Sequence, residues 1–262
     1  MTQISAARCA EMFDSHAHYD DEAFDGIRDS LIDDLHTNQN VKGFINIGCN
    51  VDSSKTSLAL AEKYPFVYAA VGLHPEEAEN FRTEDLSEIE AMLKNKKAVA
   101  IGEIGLDYHY GTDFKDKQIE MFRLQLELAE KTGKPVIIHE RDSVGDCLEC
   151  VLDYDVKGVF HSYSGSAETA KILLKKGFYI SFSGTVTFKN ARLPVENAKI
   201  IPDDRILVET DCPYLTPHPF RGKRNDSGYM RYTLEKLAEI RGVSFEHIEQ
   251  VTEDNAKRLF SL

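Results

Sequence analysis

Eight times along the chain a short apolar run gives way to a stretch with helical spacing, and this alternation restricts the fold more than any other feature. The first run ends in Phe13-Asp14-Ser15-His16-Ala17-His18; the others lie at 43–48, 66–71, 98–101, 135–139, 157–161, 178–182 and 205–211. Between them apolar residues recur every three or four positions. Phe24, Ile27, Leu31 and Leu35 predict a helix capped by Asp20 or Asp21, and Ile119, Phe122, Leu126 and Ala129 a long one stopped by Gly133. Further helices are predicted near Leu58, near Ile89, over 144–152, 167–176, 190–197 and 232–240, and after Ser244. Such alternation calls for parallel strands joined by helical crossovers. Eight repeats with no linker rich in Pro, Gly or Ser predict one (β/α)8 barrel, with a doubly wound open sheet as runner-up. The 262 residues divide into a short N-terminal extension, 1–11, and a barrel domain, 12–262.

A barrel of this kind builds its site at the C-terminal ends of its strands. His16 and His18 end the first run, His74 follows the third, Glu103 the fourth, and His139, His161 and Asp211 end the fifth, sixth and eighth. Five of the nine histidines therefore gather at one rim, while His36, His109, His218 and His247 are scattered. In an extended segment residues two apart share a face, so His16 and His18 aim at one point. His16, His18, His139, His161, Glu103 and Asp211 are more ligands than one tetrahedral ion takes. Two cations sharing a bridging carboxylate would use them and could activate a water between them. The imidazoles suit Zn, Mn, Fe or Ni better than Mg.

Composition narrows the alternatives. A net charge of −13 denies the chain the basic face of a general nucleic-acid binder, leaving room only for local binding. No apolar run reaches the roughly 18 to 20 residues of a membrane span, and residues 1–11 lack the apolar core of a secretory signal. Five scattered cysteines suit a reducing compartment, and a cytoplasmic protein is expected. Cys147 and Cys150 form a lone C-x-x-C on a predicted helix, better read as two thiols on one face than as a redox pair; Cys212 beside Asp211 is better read as a buried thiol than as a nucleophile. Phosphate-loop, dinucleotide, H-E-x-x-H and G-x-S-x-G motifs are absent.

Several stretches together carry a family resemblance: Asp14-Ser15-His16-Ala17-His18, Gly72-Leu73-His74-Pro75, Gly102-Glu103-Ile104-Gly105-Leu106-Asp107-Tyr108, Val136-Ile137-Ile138-His139, Phe160-His161-Ser162-Tyr163-Ser164-Gly165, Glu209-Thr210-Asp211-Cys212-Pro213-Tyr214-Leu215 and Arg221-Gly222-Lys223-Arg224-Asn225. In order and spacing the chain resembles the TatD family of metal-dependent deoxyribonucleases. The resemblance implies a TIM barrel of amidohydrolase type that cleaves DNA phosphodiesters with two divalent cations (Mg, Mn or Zn) and no organic cofactor. Carried over, it gives one metal to His16, His18, Glu103 and Asp211 and the other to Glu103, His139 and His161. His74, Arg221 and Asn225 would face substrate phosphates. Glu103 and Asp211 are the expected catalytic residues, Asp211 as the base that accepts the water proton. Glu140, following the fifth-strand histidine, would be an unfavourable carboxylate near a phosphate path unless it pairs with Arg141. Hydrolysis of a small ester, lactone, amide or phosphotriester is the alternative.

Overall fold

Each apolar run becomes a parallel strand, and the strands stand side by side in chain order. In the computed structural model, which describes residues 12–262, they are β1 (Met12–Ala17), β2 (Val41–Ile47), β3 (Val67–Val71), β4 (Ala98–Asp107), β5 (Val136–Arg141), β6 (Gly158–Phe160), β7 (Tyr179–Phe182) and β8 (Ile206–Val208). The expected extension over 1–11 lies outside the described residues. Crossover helices follow: α1 (Arg28–Thr37), α2 (Val51–Lys63), α3 (Thr83–Met92), α4 (Lys115–Thr132), α5 (Val144–Leu152), α6 (Ala167–Lys176), α7 (Arg192–Ile200), α8 (Met230–Arg241) and α9 (Phe245–Phe260). Past β8 the chain turns back onto β1. Ala17 bridges Cys212 in parallel, the His18 amide donates to the Cys212 carbonyl at 2.8 Å, and the Asp211 amide to the His16 carbonyl at 2.9 Å. That seam makes the fold a nearly closed (β/α)8 TIM barrel and removes the open doubly wound sheet.

Alternation along each strand divides the core into two layers. Ile45, Ile47, Ile137, Val159 and Leu207 point into the barrel, while Phe44, Val136, Ile138, Phe160, Ile206 and Val208 pack outward against the helices. Ala256, Leu259 and Phe260 of α9 join the interior cluster, which also holds Phe13 and Val99 near the starts of their strands. Among the described residues no helix is long and apolar enough to cross a membrane.

Three boundaries differ from expectation. The first predicted helix is broken: Asp21 caps a short 3-10 turn (Glu22–Phe24), Gly26 takes a left-handed φ of 77°, and α1 begins only at Arg28. Phe24 is still buried, so its apolar spacing reports packing rather than a continuous helix. The fourth strand runs on through the Gly102-Glu103-Ile104-Gly105 stretch, so Glu103 lies inside a strand rather than after it. The eighth strand stops at Val208, which leaves Glu209, Thr210 and Asp211 in the segment that closes the seam.

Candidate metal centre

The inward register of the barrel sets where the polar rim begins. His139, His161 and Glu209 each lie two residues beyond an interior residue, Ile137, Val159 and Leu207, and so continue the same face upward. Glu103 reaches that level because β4 presses close to β5. Gly105, at φ 146°, lies against the His139 carbonyl, where any Cβ would collide with backbone. Asp211 takes a left-handed φ of 57°, a conformation that costs a non-glycine residue energy and that the two seam hydrogen bonds hold in place.

The six expected ligands converge, and they do so in two groups. His16 Nε2 lies 3.1 Å from His18 Nε2, 3.4 Å from Glu103 Oε2 and 3.5 Å from Asp211 Oδ1; His18 Nε2 lies 3.8 Å and 3.4 Å from the same two oxygens. A tetrahedral ion with bonds of about 2.0–2.1 Å spaces its ligands about 3.3–3.4 Å apart, so His16, His18 and Glu103 are spaced to share one cation, and Asp211 stands at ligand spacing from both imidazoles. Glu103 turns its other oxygen, Oε1, toward His139 Nδ1 and His161 Nε2, each at 2.8 Å, and these nitrogens are 3.2 Å apart. One carboxylate therefore serves both groups. Burial favours a neutral Glu103, but His161, His16 and His139 outweigh it and hold its carboxyl well below the usual range. Burial and the neighbouring His161 keep His16 below its ordinary value, in the neutral form that offers a lone pair.

Two carboxylates that the sequence reading passed over stand behind the imidazoles. Asp107 Oδ2 lies 3.0 Å from His139 Nε2, and Glu209 Oε1 lies 3.3 Å from His161 Nδ1. Each claims the ring nitrogen that faces away from Glu103, which fixes the tautomer and leaves the other nitrogen free to bind a cation. Glu209 had a signal, its position two residues beyond Leu207; Asp107 had none until β4 proved continuous.

The expected substrate residues divide. His74 lies over the second group, with Nε2 3.9 Å from Glu103 Oε1, and its Nδ1 accepts the Glu76 amide at 3.2 Å. Burial lowers its pKa to about 4, so the ring is neutral and its single proton sits on Nε2, facing the cleft as a donor. Asn225 is different: it is fully buried, its Nδ2 donates to the Thr210 and Tyr214 carbonyls at 2.9 and 2.6 Å, and its Oδ1 accepts the Asp226 amide. Its amide braces the segment carrying Asp211 and has no group left for a phosphate. Arg221 is exposed, stacked 3.8 Å from the Phe188 ring centre and outside the side chains that line the cleft. Glu140 accepts from Ser143 and not from Arg141, because successive strand residues face opposite ways.

Above the ligands opens a cleft of about 500 Å³. Asp20, Asp21, Glu76, Glu77, Glu103, Asp107 and Asp211 line it against one arginine, Arg141. So acidic a mouth suits cations far better than an unaccompanied anion. Tyr110 and Tyr214, 78% and 57% exposed, flank it.

A family model described as TatD related DNase matches residues 13–261. The chain belongs to the TatD family. Its curated relatives in that family include YabD of Bacillus subtilis, named an uncharacterized metal-dependent hydrolase, 43% identical over 254 residues that span 96% of this chain and 99% of YabD. YcfH of Escherichia coli K12, named likewise, is 37% identical and covers 96% of each chain. The crystal structure of YJJV, a TatD homologue from Escherichia coli K12, superposes with a TM-score of 0.89 at 29% identity, over 96% of this chain and 98% of YJJV. This TatD-family protein is accordingly a metal-dependent hydrolase.

Proposed function

We propose that the protein hydrolyses DNA phosphodiester bonds at a centre of two divalent cations, the first held by His16, His18, Glu103 and Asp211 and the second by Glu103, His139 and His161. The observation that carries this reading is Glu103, one oxygen turned to each ligand group. When bound, a cation pair polarises a phosphoryl oxygen and lowers the pKa of an attacking water. The protein's own groups supply the rest. Asp211 is the base: burial raises its pKa, but His18 and His16 hold it below the usual range, so it is ionised, and its side chain is 16% exposed and within reach of water in the cleft. His74, neutral with its proton on Nε2, donates to a nonbridging phosphate oxygen. Arg141, at the cleft wall over Tyr110, offers a charged donor to the same group.

Mg, Mn and Zn are the candidate cations, and the imidazole-rich donor set favours the softer ones. The free thiols of Cys49, Cys147, Cys150 and Cys212 support a cytoplasmic setting. A second reading, hydrolysis of a small ester, lactone, amide or phosphotriester, is favoured by the four cleft carboxylates that hold no cation or ligand, Asp20, Asp21, Glu76 and Glu77, which repel a long polyanion.

The test is a metal-depleted preparation assayed on end-labelled oligonucleotides and on a small panel of esters and phosphotriesters, with Mg, Mn or Zn restored. Cleavage of the oligonucleotide only after metal return is the expected result; turnover of the panel with intact oligonucleotide would transfer the assignment to the second reading.

A further inference from the structure

Behind the ligands, two buried polar atoms have no hydrogen-bond partner among the described residues: His16 Nδ1 and Glu209 Oε2. They are complementary. For His16 to offer the Nε2 lone pair toward Glu103 and Asp211, its Nδ1 must carry the ring proton, which makes that nitrogen a donor without an acceptor. Glu209 Oε2 is an acceptor without a donor. Both side chains are wholly enclosed, so bulk solvent reaches neither. Buried polar groups are rarely left in that condition.

The surroundings bring the two together. The His16 ring lies on the His161 ring with centroids 4.1 Å apart and planes inclined by 11°. A nitrogen of each ring and an oxygen of Glu209 lie within 4.8 Å of one another. Glu209 Oε1 already reaches His161 Nδ1 at 3.3 Å, leaving Oε2 on the same carboxylate to serve the neighbouring ring.

We propose that Glu209 is a second carboxylate bridge, a positioning residue that holds His161 directly and His16 by a turn of its carboxylate or across one water. His16 belongs to the first ligand group and His161 to the second. Glu103 thus joins the two groups from the cleft side through its oxygens, and Glu209 joins them from the barrel side through ring N–H groups. Asp107 has no such double duty: among the ligand rings it meets His139, and its other oxygen accepts the His109 amide at 2.8 Å. The proposal rests on the ligand assignment made above, and it separates Glu209 from an ordinary supporting carboxylate by one consequence: its loss weakens both cation positions, whereas loss of Asp107 weakens one.

The experiment titrates full-length, chelator-stripped protein with Zn²⁺ in the presence of a competing chelator, reading stoichiometry and affinity. Wild type should take two ions. Glu209→Gln should lose about 10- to 100-fold in affinity at both positions, and Asp107→Asn a similar factor at one. A Glu209→Gln protein that keeps either ion at wild-type affinity overturns the proposal alone; wild type binding fewer than two ions overturns the ligand assignment and this proposal with it. If Glu209→Gln does not fold, nitrogen NMR of histidine-labelled wild type loaded with zinc decides. Protected protons on Nδ1 of both His16 and His161 are expected, and a His16 lacking one contradicts the shared bridge.

Discussion

Asp14 and Thr210 face each other across the barrel seam, joined by two hydrogen bonds: the Thr210 amide donates to Oδ1 at 3.0 Å and its hydroxyl to Oδ2 at 2.5 Å. The same carboxylate accepts the His16 amide at 3.2 Å and the Ser227 hydroxyl at 2.6 Å. One side chain thereby fixes the neighbours of two ligands, His16 and Asp211, that lie far apart in sequence. Burial pushes its carboxyl up to about 7 even though those donors pull it down.

Asp14→Ala strands several buried donors at once and is expected to cost about 3–5 kcal/mol of stability. Urea unfolding monitored by circular dichroism measures it. A loss below about 1 kcal/mol would show that the seam does not depend on this carboxylate.

Cation affinity should rise with pH. In the metal-free protein burial disfavours charge on His139, but Asp107 and Glu103 outweigh it and raise its pKa to about 9. His161 is likewise raised, by Glu103 and Glu209 against burial. A nitrogen that donates its lone pair must first lose that proton, so binding releases protons. Affinity therefore climbs with pH as His139, near 9, and His161 lose their protons, by about tenfold per unit for each proton displaced, and declines as acid restores the protonated rings. Chelator competition across that range measures the slope; a flat profile would mean that the imidazoles do not hold the cations.

Arg221 stands outside the cleft lining, so its contribution is expected with long substrates only. Arg221→Ala should weaken oligonucleotide binding by about three- to tenfold and reduce the slope of log affinity against log salt by about 0.9, as for one phosphate contact. Hydrolysis of bis(p-nitrophenyl) phosphate, too short to reach it, should not change. An unaltered salt slope would leave Arg221 as a stacked surface residue over Phe188.

What the sequence made legible follows from period and register. Ile137 and Val159 alternate inward, and the histidines two residues on inherit their direction, so His139 and His161 are legible in the sequence itself. The same step from Leu207 leads to Glu209, a signal masked by Asp211, which offers a ligand from the same stretch. Other features depend on contacts that no local pattern encodes. Asp107 supports His139 across 32 positions of sequence, and the role of Asn225 emerges only when the Thr210 and Tyr214 carbonyls claim its amide. The broken first helix had a local cue in Gly26, outweighed by the spacing of Phe24, Leu31 and Leu35, which the core imposes whether or not the helix is continuous.

The central claim is that hydrolysis depends on a carboxylate shared by two ligand groups, and cleavage of an end-labelled DNA oligonucleotide by purified Glu103→Ala tests it most directly. The expected result is a rate reduced by at least about 10³-fold, to the metal-free background, in a protein whose circular dichroism matches wild type. A folded Glu103→Ala protein that cleaves within about tenfold of the wild-type rate would contradict the bridge and the function built on it.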